Sequence, residues 1–194
     1  MLTKNKKAFF FGFSKWKHTF MEPFFEKESF SKLTFINPFF WQKHLSLALK
    51  RGLDEQSIFY IWGRKSFPDI EAYAHTHAIP IFRVEDGFIR SVGLGSDLTQ
   101  AFSLVVDSKG IYFDPTRESD LETILQTTLF TDEMLQKAEE VRSFLVEHKL
   151  SKYNVYEHKA LHFPEGKKII CAIGQVQDDA SIRYGANGMS NVAF

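Results

Sequence analysis

Ile79-Pro-Ile-Phe-Arg-Val-Glu-Asp-Gly-Phe-Ile-Arg-Ser-Val-Gly-Leu-Gly-Ser-Asp97 begins as an apolar run and turns within a few positions into acids, arginines, serines and glycines. Its first residues read as a buried parallel strand, and a packed core has no use for Glu85, Asp86 and Arg90 directly after it. In an open α/β sheet the backbone leaves the sheet at the carboxyl end of a strand and opens a crevice where ligands bind. Glu85 and Asp86 fall at that edge, where a carboxylate serves as acid, base or hydroxyl acceptor. A capped turn with a solvated ion pair accounts for the same residues as well.

Upstream, short apolar runs alternate with helical spacing. Residues 8–13 form an aromatic-rich strand closed by Gly12, and Ser14 caps a helix over 15–25 that Pro23 is expected to end early. A short run at 33–36 stops at Asn37-Pro38. Residues 40–50 follow as a helix with Leu45 and Leu49 on one stripe and Gly52 as its cap. The run 57–62 leads into Gly63-Arg64-Lys65-Ser66, a second site candidate that suits an anionic ligand, although a basic surface loop explains it equally well. Pro68, Asp69 and Glu71 favour a helix start, so 67–77 is helical. Strand, helix, strand at this spacing predicts an α/β, Rossmann-like parallel sheet with right-handed crossovers. Gly93 and Gly95 do not complete a dinucleotide fingerprint, because position 98 is leucine.

Downstream, 102–106 and 111–113 flank Asp107-Ser-Lys-Gly110 and read as a β-hairpin. Helices follow over 121–129 and from 131 or 132 to 148, and Ser151-Lys-Tyr-Asn154 breaks the pattern. The expected organisation is a Rossmann-like domain over 1–150, a linker over 151–167, and the beginning of a second α/β domain over 168–194. That second domain opens on the strand Ile169-Ile-Cys-Ala-Ile173 and the acidic loop Gly174-Gln-Val-Gln-Asp-Asp-Ala-Ser-Ile-Arg-Tyr-Gly185. It is expected to be incomplete at Phe194.

The 194 residues, 44% hydrophobic and 25% charged, suit a globular chain, and 24 basic against 24 acidic residues argue against a nucleic-acid binder. No apolar run approaches the length of a membrane span. Lys15, Lys17 and His18 interrupt the N-terminal region, which fails as a signal peptide. The same cations with Trp16, Phe20, Phe24 and Phe25 suit either an anionic membrane surface or an amphipathic helix with its aromatic face in the core, the second being favoured. A lone cysteine, Cys171, excludes an internal disulfide, fits a reducing compartment and reads as a buried, inert thiol. No metal or cofactor is expected: His75 and His77 fall on different helix faces, and His148, His158 and His162 match no zinc signature.

Four ordered motifs carry a resemblance: Arg83-Val-Glu-Asp-Gly-Phe-Ile-Arg-Ser91; Ser103-Leu-Val-Val-Asp107 with Gly110-Ile-Tyr-Phe-Asp114; Leu150-Ser-Lys-Tyr-Asn154; and Gly174-Gln-Val-Gln-Asp-Asp-Ala-Ser181. Together with Phe11-Gly-Phe-Ser-Lys-Trp-Lys17 and Ile61-Trp-Gly-Arg64 they resemble the bacterial capsule-polysaccharide Kps/Lip family of retaining β-Kdo glycosyltransferases, closest to the second transferase module. The resemblance implies a GT-B-like architecture, with the acceptor on the first half and CMP-Kdo on the second. It makes Asp179 the nucleophile that attacks the Kdo anomeric carbon and Glu85 the acid/base for the acceptor hydroxyl. Retention by double displacement needs such a pair of groups flanking the reacting carbon. Arg90, Ser91 and Arg183 are expected to hold the Kdo carboxylate or acceptor hydroxyls, with Gln175 and Arg64 as further substrate-binding candidates. The implied partners are CMP-Kdo and a lipid-linked glycan acceptor. The implied place is the cytoplasm, with peripheral contact at the inner face of the cytoplasmic membrane. The donor-binding segments of the family are not found before Phe194, so the chain is expected to be a fragment that transfers no Kdo alone. The other reading is a non-catalytic glycan- or lipid-acceptor-binding module.

Overall fold

The computed structural model describes residues 6–25, 30–155, 160–176 and 178–189. Its centre is a five-stranded sheet of order β2-β1-β3-β4-β5, formed by β1 (Lys7–Phe11), β2 (Lys32–Ile36), β3 (Ser57–Trp62), β4 (Ile81–Asp86) and β5 (Leu104–Asp107). The first four strands are parallel and β5 runs antiparallel to β4. The α/β reading therefore holds.

Successive side chains of a strand point to opposite faces, and β1 uses both. Phe9 and Phe11 pack with Phe59, Ile61, Ile70 and Ala74 under α2 (His44–Lys50) and α3 (Pro68–Thr76). Ala8 and Phe10 pack on the other side with Tyr60, Val84 and the Phe20, Met21 and Phe25 side chains of α1 (His18–Phe25). Phe10 stacks on Phe35 and Tyr60 at centroid distances of 4.6 and 5.1 Å and meets Phe25 edge-on at 4.9 Å. Phe20 and Phe25 are thus core residues, which is the favoured half of the expectation for that cluster. Residues 15–17 form a 3-10 turn before α1, and α1 continues through Pro23 rather than ending before it.

The expected hairpin does not form. The buried Asp107 carboxylate accepts hydrogen bonds from the backbone of Lys109 (2.9 Å), Gly110 (2.8 Å) and Asp120 (3.0 Å). This redirects the chain into α4 (Asp120–Thr127) instead of back along β5. Ser119 and Glu122 close a capping box at the start of α4, and α5 (Asp132–Glu147) follows. Residues 169–173 are not a strand either. A strand needs a neighbour for its backbone groups, and among the described residues none pairs with them, leaving Ile170 and Ile173 exposed. Cys171 is likewise exposed rather than buried. The last helix among the described residues is α6 (Ala180–Gly185).

Candidate active site

β4 delivers Glu85 and Asp86 to the carboxyl edge of the sheet, and the chain then turns sharply at Gly87. Only glycine fits there, because a Cβ at position 87 would lie 2.1 Å from the Ser103 hydroxyl. Gly63, at φ +54°, ends β3 beside Glu85, and a Cβ would stand 3.1 Å from the Glu85 Oε2. The Ile61-Trp-Gly-Arg64 turn thereby leaves room for this carboxylate.

Beneath the loop lies Arg90, with no exposed surface. Its Nη1 donates to the Ser91 hydroxyl (2.7 Å) and Gly93 carbonyl (3.2 Å), and its Nη2 to the Thr99 carbonyl (2.8 Å). Nε lies 2.7 Å from the Asp86 Oδ2. That contact lacks hydrogen-bond alignment and acts as an ion pair. The backbone N–H groups of Arg90 and Ser91 both donate to the Lys152 carbonyl (2.8 and 3.2 Å), and Asn154 Nδ2 donates to the Ser91 carbonyl (3.1 Å). The Ser151-Lys-Tyr-Asn154 motif is thus a turn, closed by Ser151 and Asn154 on each other and clamped onto the loop after β4.

This clamp swings Lys152 and Tyr153 into a cavity of about 590 Å³ also lined by Glu85, Asp86, Tyr112, Phe113, Gln175, Asp179, Ala180 and Ser181. Glu85 and Asp179, almost a hundred residues apart, share one space. Gln175 lines it too, whereas Arg90 and Ser91 lie under the loop. Arg64 and Arg183 stand outside the cavity, at α6. The Arg64 Nε pairs with Asp114 at 2.6 Å while its guanidinium covers the Tyr184 ring at 3.9 Å, tying α6 to the turn after β3. Arg183, exposed, lies 5.5 Å from the same ring.

The two carboxylates sit in opposite electrostatic settings. Burial raises the Glu85 pKa above its ordinary value, and the Asp86 charge adds to this. The Asp86 backbone N–H and the Lys17 and Lys152 ammonium groups only partly oppose it. Asp179 caps α6, where its Oδ1 accepts from the Ser181 hydroxyl (2.6 Å) and backbone (2.9 Å), and these bonds hold its pKa below the ordinary value. A pair pushed apart in this way divides labour: Asp179 stays ionised and Glu85 can carry a proton. Sequence reasoning missed Lys17, Lys152, Tyr112 and Tyr153 as site residues, although all four lie in quoted motifs. The Lys17 ammonium rests 3.1 Å over the Trp62 ring, its pKa pushed down by burial to about 8.

A raised acid pKa has a consequence for stability. The folded state disfavours the Glu85 charge, so stability falls as pH rises from the unfolded carboxylate value through the higher folded one. Glu85→Gln is therefore expected to be more stable than the parent at neutral pH, with the gain vanishing below the ordinary glutamate pKa. Urea titrations at both pH values check this, and a pH-independent difference would contradict it.

The sequence model of the capsule polysaccharide biosynthesis protein family matches residues 59–194, a stretch that includes both carboxylates. The chain belongs to that family. Members of the capsule family that it resembles include the capsule polysaccharide modification protein LipA of Neisseria meningitidis, 43% identical over 175 residues, which are 90% of this chain and 24% of LipA. The lipopolysaccharide-processing protein LpsZ of Rhizobium meliloti is 41% identical over 131 residues, 66% of this chain and 30% of LpsZ. Two solved structures of KpsC from Thermosulfurimonas dismutans share the fold. The β Kdo 2,4 transferase superposes with a TM-score of 0.59 at 29% identity, and the β Kdo 2,7 transferase with 0.60 at 30%. They match 91% and 92% of this chain, and 51% of each of theirs. The chain thus spans about a quarter of LipA and half of each transferase structure.

Proposed function

We propose that this capsule-family chain forms the acceptor side of a retaining β-Kdo transferase site, acting in the cytoplasm on CMP-Kdo and a lipid-linked glycan acceptor. The observation that carries the reading is the single cavity lined by both Asp179, whose pKa is held down by its Ser181 hydrogen bonds, and Glu85, whose pKa is raised by burial. Asp179 attacks the anomeric carbon as the C–O bond to the CMP phosphate breaks, giving a glycosyl-enzyme ester. Glu85, in its ionised form, then takes the proton of the acceptor hydroxyl as that oxygen displaces Asp179, so two inversions give net retention. Lys152, whose charge reaches both carboxylates, faces the negative charge of a 2-keto-3-deoxy sugar acid in that cavity. The domain division expected at 151–167 belongs to the same reading, with 168–194 opening the donor side.

Lysine suits such an anion as a point charge. Arg64 serves here by holding α6 through Asp114 and Tyr184. Because the chain matches half of each solved transferase, the 194 residues alone are expected to turn over no CMP-Kdo. The reading is tested in a full-length relative by Glu85→Gln at the aligned position. Acceptor transfer falls about 10²–10⁴-fold while the covalent sugar adduct accumulates. Transfer at the parent rate would remove Glu85 from the mechanism.

A further inference from the structure

The turn after β3 borders another, smaller cavity of about 160 Å³, lined by side chains from separate elements. Arg64 and Ser66 come from that turn, Arg83 from β4, Asp114 and Arg117 from the loop before α4, and Glu71 from α3. The first two belong to Gly63-Arg64-Lys65-Ser66, the basic turn whose sequence suits an anion. The cavity thus sets three guanidinium groups against two carboxylates.

Both carboxylates are already matched. Asp114 pairs through Oδ2 with the Arg64 Nε (2.6 Å), and its Oδ1 accepts from the Thr116 backbone (3.0 Å) and hydroxyl (2.6 Å). The Glu71 Oε1 accepts from the Arg83 Nη2 (3.3 Å) and the Phe67 backbone (3.2 Å). The Arg83 Nη1 donates to the Gly63 (3.1 Å) and Lys65 carbonyls, so this side chain also fixes the shape of the turn. Arg117 is the surplus charge: among the described residues its guanidinium forms neither an ion pair nor a hydrogen bond. Burial pushes the Arg83 pKa below its ordinary value; the Glu71 charge opposes this and the Arg117 charge adds to it. Two guanidinium groups that repel each other around one cavity gain when an anion enters between them.

The size of the space selects the anion. At about 160 Å³ it is well below the roughly 300–1,000 Å³ that hold drug-sized ligands, so a nucleoside or a sugar chain does not fit, whereas a compact oxyanion does. A carboxylate is planar and is gripped by one arginine fork. A phosphate presents oxygens in several directions, which suits donors arriving from a turn, a strand and a loop. We propose that Arg64, Arg83 and Arg117, with the Ser66 hydroxyl, form a binding site for a phosphate-type oxyanion, whether the free ion or a phosphate ester. The site does not rest on the transferase reading, since neither Glu85 nor Asp179 lines it. It adjoins the larger cavity at Gly63, which lines the small one and whose Cβ would stand 3.1 Å from the Glu85 Oε2.

The test is thermal unfolding of the 194-residue chain in HEPES buffer while inorganic phosphate is titrated in, with ionic strength held constant by sodium chloride. The expected result is a midpoint that rises saturably with phosphate, as binding to the folded state requires, and rises less with acetate. Arg117→Gln weakens phosphate binding by about tenfold or more, the effect of losing a hydrogen bond between charged groups. Lys137→Gln, which removes an exposed charge on α5, leaves it unchanged. Arg117 is exposed, so the variant keeps the fold, which circular dichroism checks. Glycerol 3-phosphate separates the two sources: competition with inorganic phosphate shows that the site takes an ester, and no competition restricts it to the free ion. A midpoint that follows ionic strength alone, a rise without saturation, or an equal rise with acetate would overturn the proposal. So would parent-like affinity in Arg117→Gln, or an equal loss in Lys137→Gln.

Discussion

Asp179→Asn, made at the aligned position of a full-length relative, is expected to abolish the covalent sugar adduct and lower transfer by at least about 10³-fold. The substitution isolates chemistry from structure. Asparagine caps a helix as well as aspartate does, and its Oδ1 can still accept from the Ser181 backbone and hydroxyl, so α6 keeps its start. What is lost is the negative charge, and a neutral amide does not attack an anomeric carbon. Because Asp179 forms the bond in the transition state, the loss falls on kcat, with KM for CMP-Kdo little changed. Ser181→Ala gives the graded counterpart. It removes the largest influence holding the Asp179 pKa down, so the acid limb of the pH–rate profile moves to higher pH. Transfer by Asp179→Asn at a parent-like rate would take the nucleophile out of the mechanism.

Arg90→Ala is expected to cost about 3–5 kcal/mol of folding stability, the range for breaking one partner out of a buried ion pair. The change strands the Asp86 carboxylate, one of whose oxygens already lacks a partner, leaves the Thr99 carbonyl without the guanidinium donor that now bonds it, and leaves the Gly93 carbonyl with the Ser91 hydroxyl alone. Position 95 fits the same design, since a Cβ there would stand 3.1 Å from the Arg90 Nη2. Lysine does not reproduce the fork that reaches two carbonyls, one hydroxyl and one carboxylate, so Arg90→Lys recovers only part of the loss. Urea denaturation of the three proteins checks this. A midpoint for Arg90→Ala indistinguishable from the parent would show that the buried guanidinium holds nothing. Since the same loop carries the clamp to Lys152, loosening it also misplaces the cation whose charge reaches both carboxylates.

The parallel strands were legible because β1 and β3 are buried on both faces and read as continuous apolar runs. The long helix α5 was legible from its spacing. Glu85 was legible because a carboxylate directly after an apolar strand has no packing purpose. Most of the failures trace to bonding partners that the local pattern does not reveal. A tight-turn sequence predicts a hairpin at 107–110, yet the turn's amides went to the Asp107 carboxylate, which also holds the start of α4. Ile169-Ile-Cys-Ala-Ile173 has strand composition, but composition supplies no neighbouring strand. Lys152 and Tyr153 look like a helix-ending turn until Asn154 and the Lys152 carbonyl are seen bonded to residues 90 and 91. Arg90 looked like a ligand for an anion because it is an arginine in a loop, and nothing local in the sequence tells that it is buried.

The central claim is that Asp179 and Glu85 work on the same sugar. It is tested most directly by incubating the Glu85→Gln form of a full-length relative with CMP-Kdo and mapping the modified peptide by mass spectrometry. The account predicts a single Kdo-sized mass increase on the peptide that carries the residue aligned with Asp179. A Kdo adduct on any other peptide, or transfer that proceeds with no adduct, would contradict it.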